Sequence, residues 1–155
     1  MTKAQCRFCK TDLKHTFVNL GMSPLSNSYL KSEQLNQSEK FYPLHTYVCS
    51  KCLLVQLEEF ESPDHIFSDY PYFSSYSDTW LNHAREYTNL MIERFKFSSS
   101  SQVIEIASND GYLLQFFQEQ QIPVLGVEPA ANVAEVAKSK NIPTLVKFFG
   151  VATAK

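Results

Sequence analysis

Two sets of residues in this chain have the types and spacing to do chemistry. The first is Cys6-Arg7-Phe8-Cys9 and Cys49-Ser50-Lys51-Cys52, two C-x-x-C pairs that use all four cysteines and are separated by 39 residues. Each pair can wrap one edge of a metal ion, and four thiolates close a tetrahedral zinc shell with no open position, so such a site is structural. The gap is longer than the roughly 15–20 residues of a compact ribbon; the signal lies in the doubled pair, and an insertion must fill the gap. Four thiolates also suit an iron–sulfur cluster, and unmetallated core cysteines are the bland alternative. Disulfides are disfavoured, because no charged stretch followed by an apolar one marks the start for export. His15, His45, His65 and His83 are scattered and read as surface or core residues.

The second set lies between Val103 and Pro129. Val103-Ile104-Glu105-Ile106-Ala107-Ser108 suits a buried parallel strand, Asn109-Asp110-Gly111 supplies a turn into a helix, and Val124-Leu125-Gly126-Val127-Glu128 reads as the next strand. That order begins an α/β site for a nucleotide-like cofactor. A dinucleotide pyrophosphate needs two or three glycines so that backbone and helix N-terminus can close on it; here the turn has Gly111 alone, and Asp110 places a carboxylate where phosphate charge would lie. S-adenosylmethionine carries a sulfonium, an amino-acid end and a ribose, and acidic side chains suit it. Glu128 follows Gly111 by 17 residues, near the offset at which a strand-end carboxylate accepts from ribose hydroxyls, and Glu105 can hold the amino-acid end directly or through water. The competing reading makes Glu105 and Glu128 ordinary polar caps on strand ends.

The elements that must position these residues follow from pattern. At 155 residues with 44% hydrophobic content the chain holds one ordinary domain or two small ones, and no apolar run is long enough to span a bilayer. Fourteen basic against sixteen acidic residues give a net charge of −2, which argues against a nucleic-acid-binding ribbon and leaves a cytoplasmic protein as the expectation. Residues 1–66 form the cysteine module, with strands expected at 46–48 and 53–57. Residues 67–101 hold an aromatic, hydroxyl-rich loop, Asp69-Tyr70-Pro71-Tyr72-Phe73-Ser74-Ser75-Tyr76-Ser77, which either lines a small-molecule site or packs between modules. A helix over 78–97 follows, capped by Ser77 or Asp78, with Trp80, Ala84, Tyr87, Met91 and Phe95 as its apolar stripe. The serine run 98–101 opens the cofactor unit, 102–155. There a helix over 130–140 buries Ala130, Val133, Ala134 and Ala137, Asn141 closes it in a left-handed conformation, and a third strand starts at Pro143. Three strands with two helices leave a sheet edge unpaired and one face half bare, so the fold class expected is α/β: a small zinc-ribbon-like module followed by the first half of a Rossmann-like domain.

The paired cysteines, Pro71-Tyr72-Phe73-Ser74-Ser75-Tyr76-Ser77, the segment from Val103 to Gly111, and Gly126-Val127-Glu128-Pro129-Ala130 together resemble the zinc-containing sugar C-methyltransferases, and the resemblance covers the whole chain. It implies a zinc-binding N-terminal domain, a class I methyltransferase domain using S-adenosylmethionine, and methylation of a carbon of a nucleotide-linked deoxy-keto-sugar through an enolate. By the same resemblance Glu105, Asn109, Asp110, Gly111 and Glu128 fall in the cofactor site, Tyr72, Ser75 and Tyr76 belong to the loop over cofactor and sugar, and Cys6, Cys9, Cys49 and Cys52 bind structural zinc. The family's catalytic residues would lie beyond Lys155, so the expectation is an N-terminal fragment, inactive alone and without catalytic residues of its own. A second reading is a zinc-stabilised binding module that pairs with a separate C-terminal polypeptide; a third assigns another adenosine cofactor. Neither nucleic acid nor membrane is expected as a partner.

Overall fold

A computed structural model describes residues 4–155. The chain divides into two compact units, one ending at Ser62 and one spanning Pro63–Lys155. Among the described residues no helix is long and apolar enough to cross a membrane.

The first unit is an antiparallel meander of β1 (His15–Ser23), β2 (Tyr42–Val48) and β3 (Val55–Leu57), with β2 in the middle. β1 occupies the insertion between the cysteine pairs. Its alternation is interrupted by two irregularities in its register with β2, which is why no strand is expected there from sequence. β2 starts earlier, and β3 later, than the apolar runs around the second pair suggest. Gln56 of β3 is buried, whereas Phe17, Leu20 and Met22 of β1 are exposed. Among the described residues the fully buried hydrophobic side chains of this unit are those of Cys6 and Cys49.

The second unit opens with α1 (Pro63–Phe67), a short turn that periodicity does not announce, and a single 3-10 turn at Ser74–Tyr76. Then come α2 (Asp78–Phe95), β4 (Val103–Ile106), α3 (Leu114–Glu119), β5 (Val124–Val127), α4 (Ala131–Ser139) and β6 (Thr144–Leu145). The three strands form a parallel sheet in the order β4-β5-β6, with Val103 opposite Val124 and Gly126 opposite Thr144. This alternation of strand and helix is a mixed α/β arrangement, consistent with half of a Rossmann-like sheet.

Local chemistry sets the boundaries. The Ser77 hydroxyl caps α2 by accepting from the Trp80 amide, and Lys96 ends it in the left-handed region. The stripe expected on α2 is rotated in the structure: Ala84 and Thr88 are buried and Met91 and Ile92 pack on the core, while Trp80, Tyr87 and Phe95 stay largely exposed. Small residues let α2 approach the core closely, and the large rings are left on its flank. α4 buries Val133, Ala134 and Ala137, and Asn141 follows it at φ +59°. The core joins Leu114, Phe117, Ile122, Val124, Ala137 and Ile142, with Val103 against it. β4 is only half covered: Ile104 and Ile106 are 57% and 52% exposed on the opposite face from Val103 and Glu105.

Two glycines are demanded by contact. Gly111 sits at φ +75° against Ile142, and Gly126 lets β5 pass directly against the Ser108 side chain. A Cβ at either position would collide.

Candidate functional site

The cysteine pairs form two matching knuckles. Lys10 donates to the Cys6 carbonyl at 2.9 Å and Leu53 to the Cys49 carbonyl at 3.0 Å, each from a left-handed residue just after its pair. The Cys6 and Cys49 amides in turn donate to Thr11 and Leu54 carbonyls. Each loop thereby presents its two sulfurs to the same point. Cys6 Sγ lies 3.6 Å from Cys52 Sγ and Cys9 Sγ 3.5 Å from Cys49 Sγ, and all four atoms fall within 4.8 Å of one another. A tetrahedron of bonds of about 2.3 Å requires sulfurs about 3.8 Å apart, so the cluster has the dimensions of a zinc site. None of the four is in a disulfide.

Backbone and side-chain donors bias the thiols unequally. The Cys9 amide, followed by the Gln56 side chain, lowers Cys6 to about 6, and the Thr11 side chain lowers Cys9. Cys52 has the Leu54 amide to lower it, yet burial and the three neighbouring sulfurs push it up to about 12. Four anionic sulfurs this close require a cation among them.

Gln56 is the residue that sequence spacing misses. Its Nε2 donates to Cys6 Sγ at 3.2 Å while its Oε1 accepts from the Arg7 amide at 2.9 Å, so it fixes both the ligand and the knuckle behind it. The signal available in the sequence was a polar residue inside the apolar run Leu53-Leu54-Val55-Gln56-Leu57. Gln56→Leu is expected to weaken zinc affinity by about 10–100-fold while keeping one metal per chain at saturation, measured by competition with a chromogenic chelator.

The second candidate site is a cavity of about 490 Å³ inside the α/β unit. Ile106, Val127, Pro129 and Phe148 give it apolar walls, and Tyr70, Tyr72, Asn109, Tyr112 and Glu128 supply polar groups. Glu128 is buried at the end of β5; its Oε2 accepts from the Asn109 amide and its Oε1 from the Ala130 amide, both at 2.9 Å. The turn that receives it is strained, with Ala107, Asn109 and Gly111 all at positive φ. Ala107 pays for that conformation, on the order of 1–2 kcal/mol, while asparagine and glycine adopt it at little cost. Successive amides in such a turn commonly cradle an anion, and here the protein's own carboxylate takes the Asn109 amide.

The aromatic loop is held to this turn through its backbone. Asn109 accepts from the Ser74 amide at 2.9 Å and donates to the Tyr72 carbonyl at 3.0 Å; Asn132 of α4 does the same for the amide and carbonyl of Tyr70. Asp110 accepts from the Ser75 amide, and Lys140 donates to Ser75 Oγ at 2.8 Å and to the Asp110 carbonyl.

Of the residues expected around a cofactor, Tyr72, Asn109 and Glu128 line the cavity. Glu105 lies on the other face of β4 beside Tyr112, Asp110 is buried beneath the loop, and Gly111 packs on Ile142. Ser75 faces Lys140, and Tyr76 is 95% exposed. Tyr70, Tyr112 and Asn132 were not singled out from sequence, because their roles depend on contacts between distant segments.

Comparison with known proteins adds two findings. Residues 6–67 match a family model from methyltransferases described as "Putative zinc binding domain". The chain is also 33% identical over 145 residues to C-methyltransferase NovU of Streptomyces niveus, a match covering 94% of this chain and 34% of that protein. The chain therefore spans about a third of the length of the curated relative it matches. The family match and the four-sulfur cluster both support zinc binding.

Proposed function

We propose that this chain, which carries the N-terminal region of a zinc-containing C-methyltransferase, contributes a structural zinc module and an S-adenosylmethionine-binding half-site to methyl transfer. The observation that carries the cofactor reading is Glu128. Each of its oxygens accepts one amide and keeps a lone pair toward the cavity, which suits a pair of ribose hydroxyls. The same carboxylate repels a pyrophosphate and uses the amide such a group would need, so a dinucleotide fits poorly. Tyr70, Tyr72 and the apolar wall offer faces to an adenine ring. When bound, S-adenosylmethionine supplies an electrophilic methyl group. The residues here bind and orient; Asn109 and Asn132 hold the loop over the cavity by its backbone.

The acceptor proposed is a carbon of a nucleotide-linked deoxy-keto-sugar, with the proton-abstracting groups supplied by polypeptide outside this chain, which is inactive alone. β4 favours that completion, since its outer edge has no partner among the described residues and Ile104 and Ile106 are uncovered. Calorimetric titration of the zinc-loaded chain with S-adenosylhomocysteine is expected to give saturable binding at one per chain, and titration with NAD none. Tighter binding of NAD would overturn the cofactor reading, and product formed from S-adenosylmethionine and a keto-sugar nucleotide would overturn the inactivity.

A further inference from the structure

The large rings left in solvent on α2 are not scattered. Trp80, His83, Ala84 and Tyr87 fall at helical spacing on one stripe, and with Tyr112 and Leu113 they line a groove of about 240 Å³. Ala84, which is buried, and Leu113, which packs on the core, form its floor. Rings form its walls: the Trp80 centroid lies 5.3 Å from that of His83, with 26° between the planes, and 5.9 Å from that of Tyr112, with 32°. Trp80 and Tyr87 are nonetheless 43% and 45% exposed, so the chain itself leaves the groove open.

Three properties restrict what this groove can hold. None of its lining residues carries a fixed charge. Neither the His83 imidazole nor the Trp80 indole N–H has a hydrogen-bond partner among the described residues, so the walls offer polar edges as well as aromatic faces. Tyr112 lines both this groove and the cofactor cavity, so a single side chain divides the two. A nucleotide-linked sugar has three parts to place. Its diphosphate needs cations, and the groove supplies none. Its reacting sugar must meet the methyl group of the cofactor, and a ring in the groove has Tyr112 between it and that cavity. Its base is a flat, uncharged ring with hydrogen-bonding edges, which is what aromatic walls bind by stacking.

We propose that the groove along α2 is the subsite for the nucleobase of the acceptor, held by Trp80, His83 and Tyr87. The inference rests on the functional reading above and adds to it the place where the non-reacting end of the acceptor docks. The volume suits that role: about 240 Å³ lies below the roughly 300 Å³ at which pockets begin to enclose a whole drug-sized ligand, and a single heterocycle needs less. Binding energy gained on the base, away from the reacting carbon, holds the sugar at the cofactor cavity.

Trp80 is the single tryptophan of the chain, so its fluorescence reports on this groove alone. The test titrates the zinc-loaded chain, with and without saturating S-adenosylhomocysteine, with uridine, thymidine and guanosine diphosphates, with the free nucleosides and with a methyl 6-deoxyhexoside. The expected result is saturable quenching of Trp80 by at least one nucleoside diphosphate and by its nucleoside, with none by the hexoside. His83→Ala and Tyr87→Ala should each weaken that binding by about 5–150-fold while retaining the amide spectrum of the folded chain. Quenching by the hexoside and not by nucleosides would place the sugar here and overturn the inference. Competition between nucleotide and S-adenosylhomocysteine for the groove would make it part of the cofactor cavity, which also overturns it. So would an indole shielded from acrylamide in the unliganded chain, since a second copy or another segment would then cover the groove. No quenching by any probe, with S-adenosylhomocysteine still bound by calorimetry, would overturn the subsite and leave the cofactor reading intact. Nucleotide quenching without S-adenosylhomocysteine binding would do the reverse.

Discussion

Removing zinc with a strong chelator is expected to unfold residues 4–62 while the α/β unit keeps its dispersed amide signals. The reason is the inventory of buried side chains. Among the described residues of the first unit the fully buried hydrophobic side chains are those of Cys6 and Cys49; β2 is only partly covered, and Phe8, Phe17, Leu20, Met22, Tyr29 and Leu35 remain exposed. A unit of this size is marginal even with a normal core. Structural zinc in comparable peptides supplies on the order of 10 kcal/mol of folding free energy, a large term beside what three short strands with a partly covered face contribute. Cys49→Ser should therefore behave like chelation.

The second unit has a core of its own, built from Leu114, Phe117, Ile122, Val124, Ala137 and Ile142 and containing no cysteine. Two-dimensional amide spectra recorded before and after chelation check the prediction. Collapse confined to residues 4–62, reversible on adding zinc, is the expected result. Retention of the β1–β2 pairing after complete loss of zinc would show that the meander folds without it. The sign with pH follows from the ligands: zinc binds thiolates, so acid competes with it and the first unit should lose metal as pH falls.

How much of this was legible beforehand differs by element. The cysteine cluster was readable because a metal site depends on residue identity: four sulfurs in two C-x-x-C pairs have few uses, and the geometry places them within 4.8 Å. The β4-α3-β5 order was readable from apolar runs broken by Asn109-Asp110-Gly111. β1 was not, because its register with β2 is irregular and much of its surface is exposed. The stripe of α2 was legible in part: helical spacing included Ala84 and Met91, which meet the core, but spacing alone does not separate them from Trp80, Tyr87 and Phe95 on the flank. The core selects Ala84 and Thr88, small enough for close approach, over Trp80 and Tyr87. Around the cavity, identity placed Glu128 and Asn109 in the lining but did not show the hydrogen bonds they make within the chain. That Asn109 reads the backbone of Tyr72 and Ser74, or that Asn132 clamps Tyr70, depends on contacts between residues 35 to 62 apart in sequence. Side chain to backbone contacts of that kind leave no periodic trace.

Glu128→Gln is expected to lower affinity for S-adenosylhomocysteine by at least about 100-fold. A carboxylate accepting from two ribose hydroxyls makes two charge-assisted hydrogen bonds, each worth about 1.5–3 kcal/mol, and about 1.4 kcal/mol is a factor of ten. The amide keeps one acceptor and turns an NH2 group toward the other hydroxyl or toward a backbone donor. The internal cost appears in stability: the Asn109 and Ala130 amides are buried with Glu128 as their acceptor, and losing a partner costs each about 1–3 kcal/mol. Melting temperature should therefore fall in Glu128→Gln and further in Glu128→Ala, where both amides lose their acceptor. Glu135→Ala, which breaks an exposed ion pair with Lys138 on the outer side of α4, is the control and should leave affinity unchanged and stability within about 0.5 kcal/mol. Measuring affinity well below the melting temperature of each variant separates the two losses. Should Glu128→Gln remain folded and bind S-adenosylhomocysteine within about twofold of the unsubstituted chain, the ribose would not be held by this carboxylate. Glu128 would then be only the anion that fills the strained turn after β4.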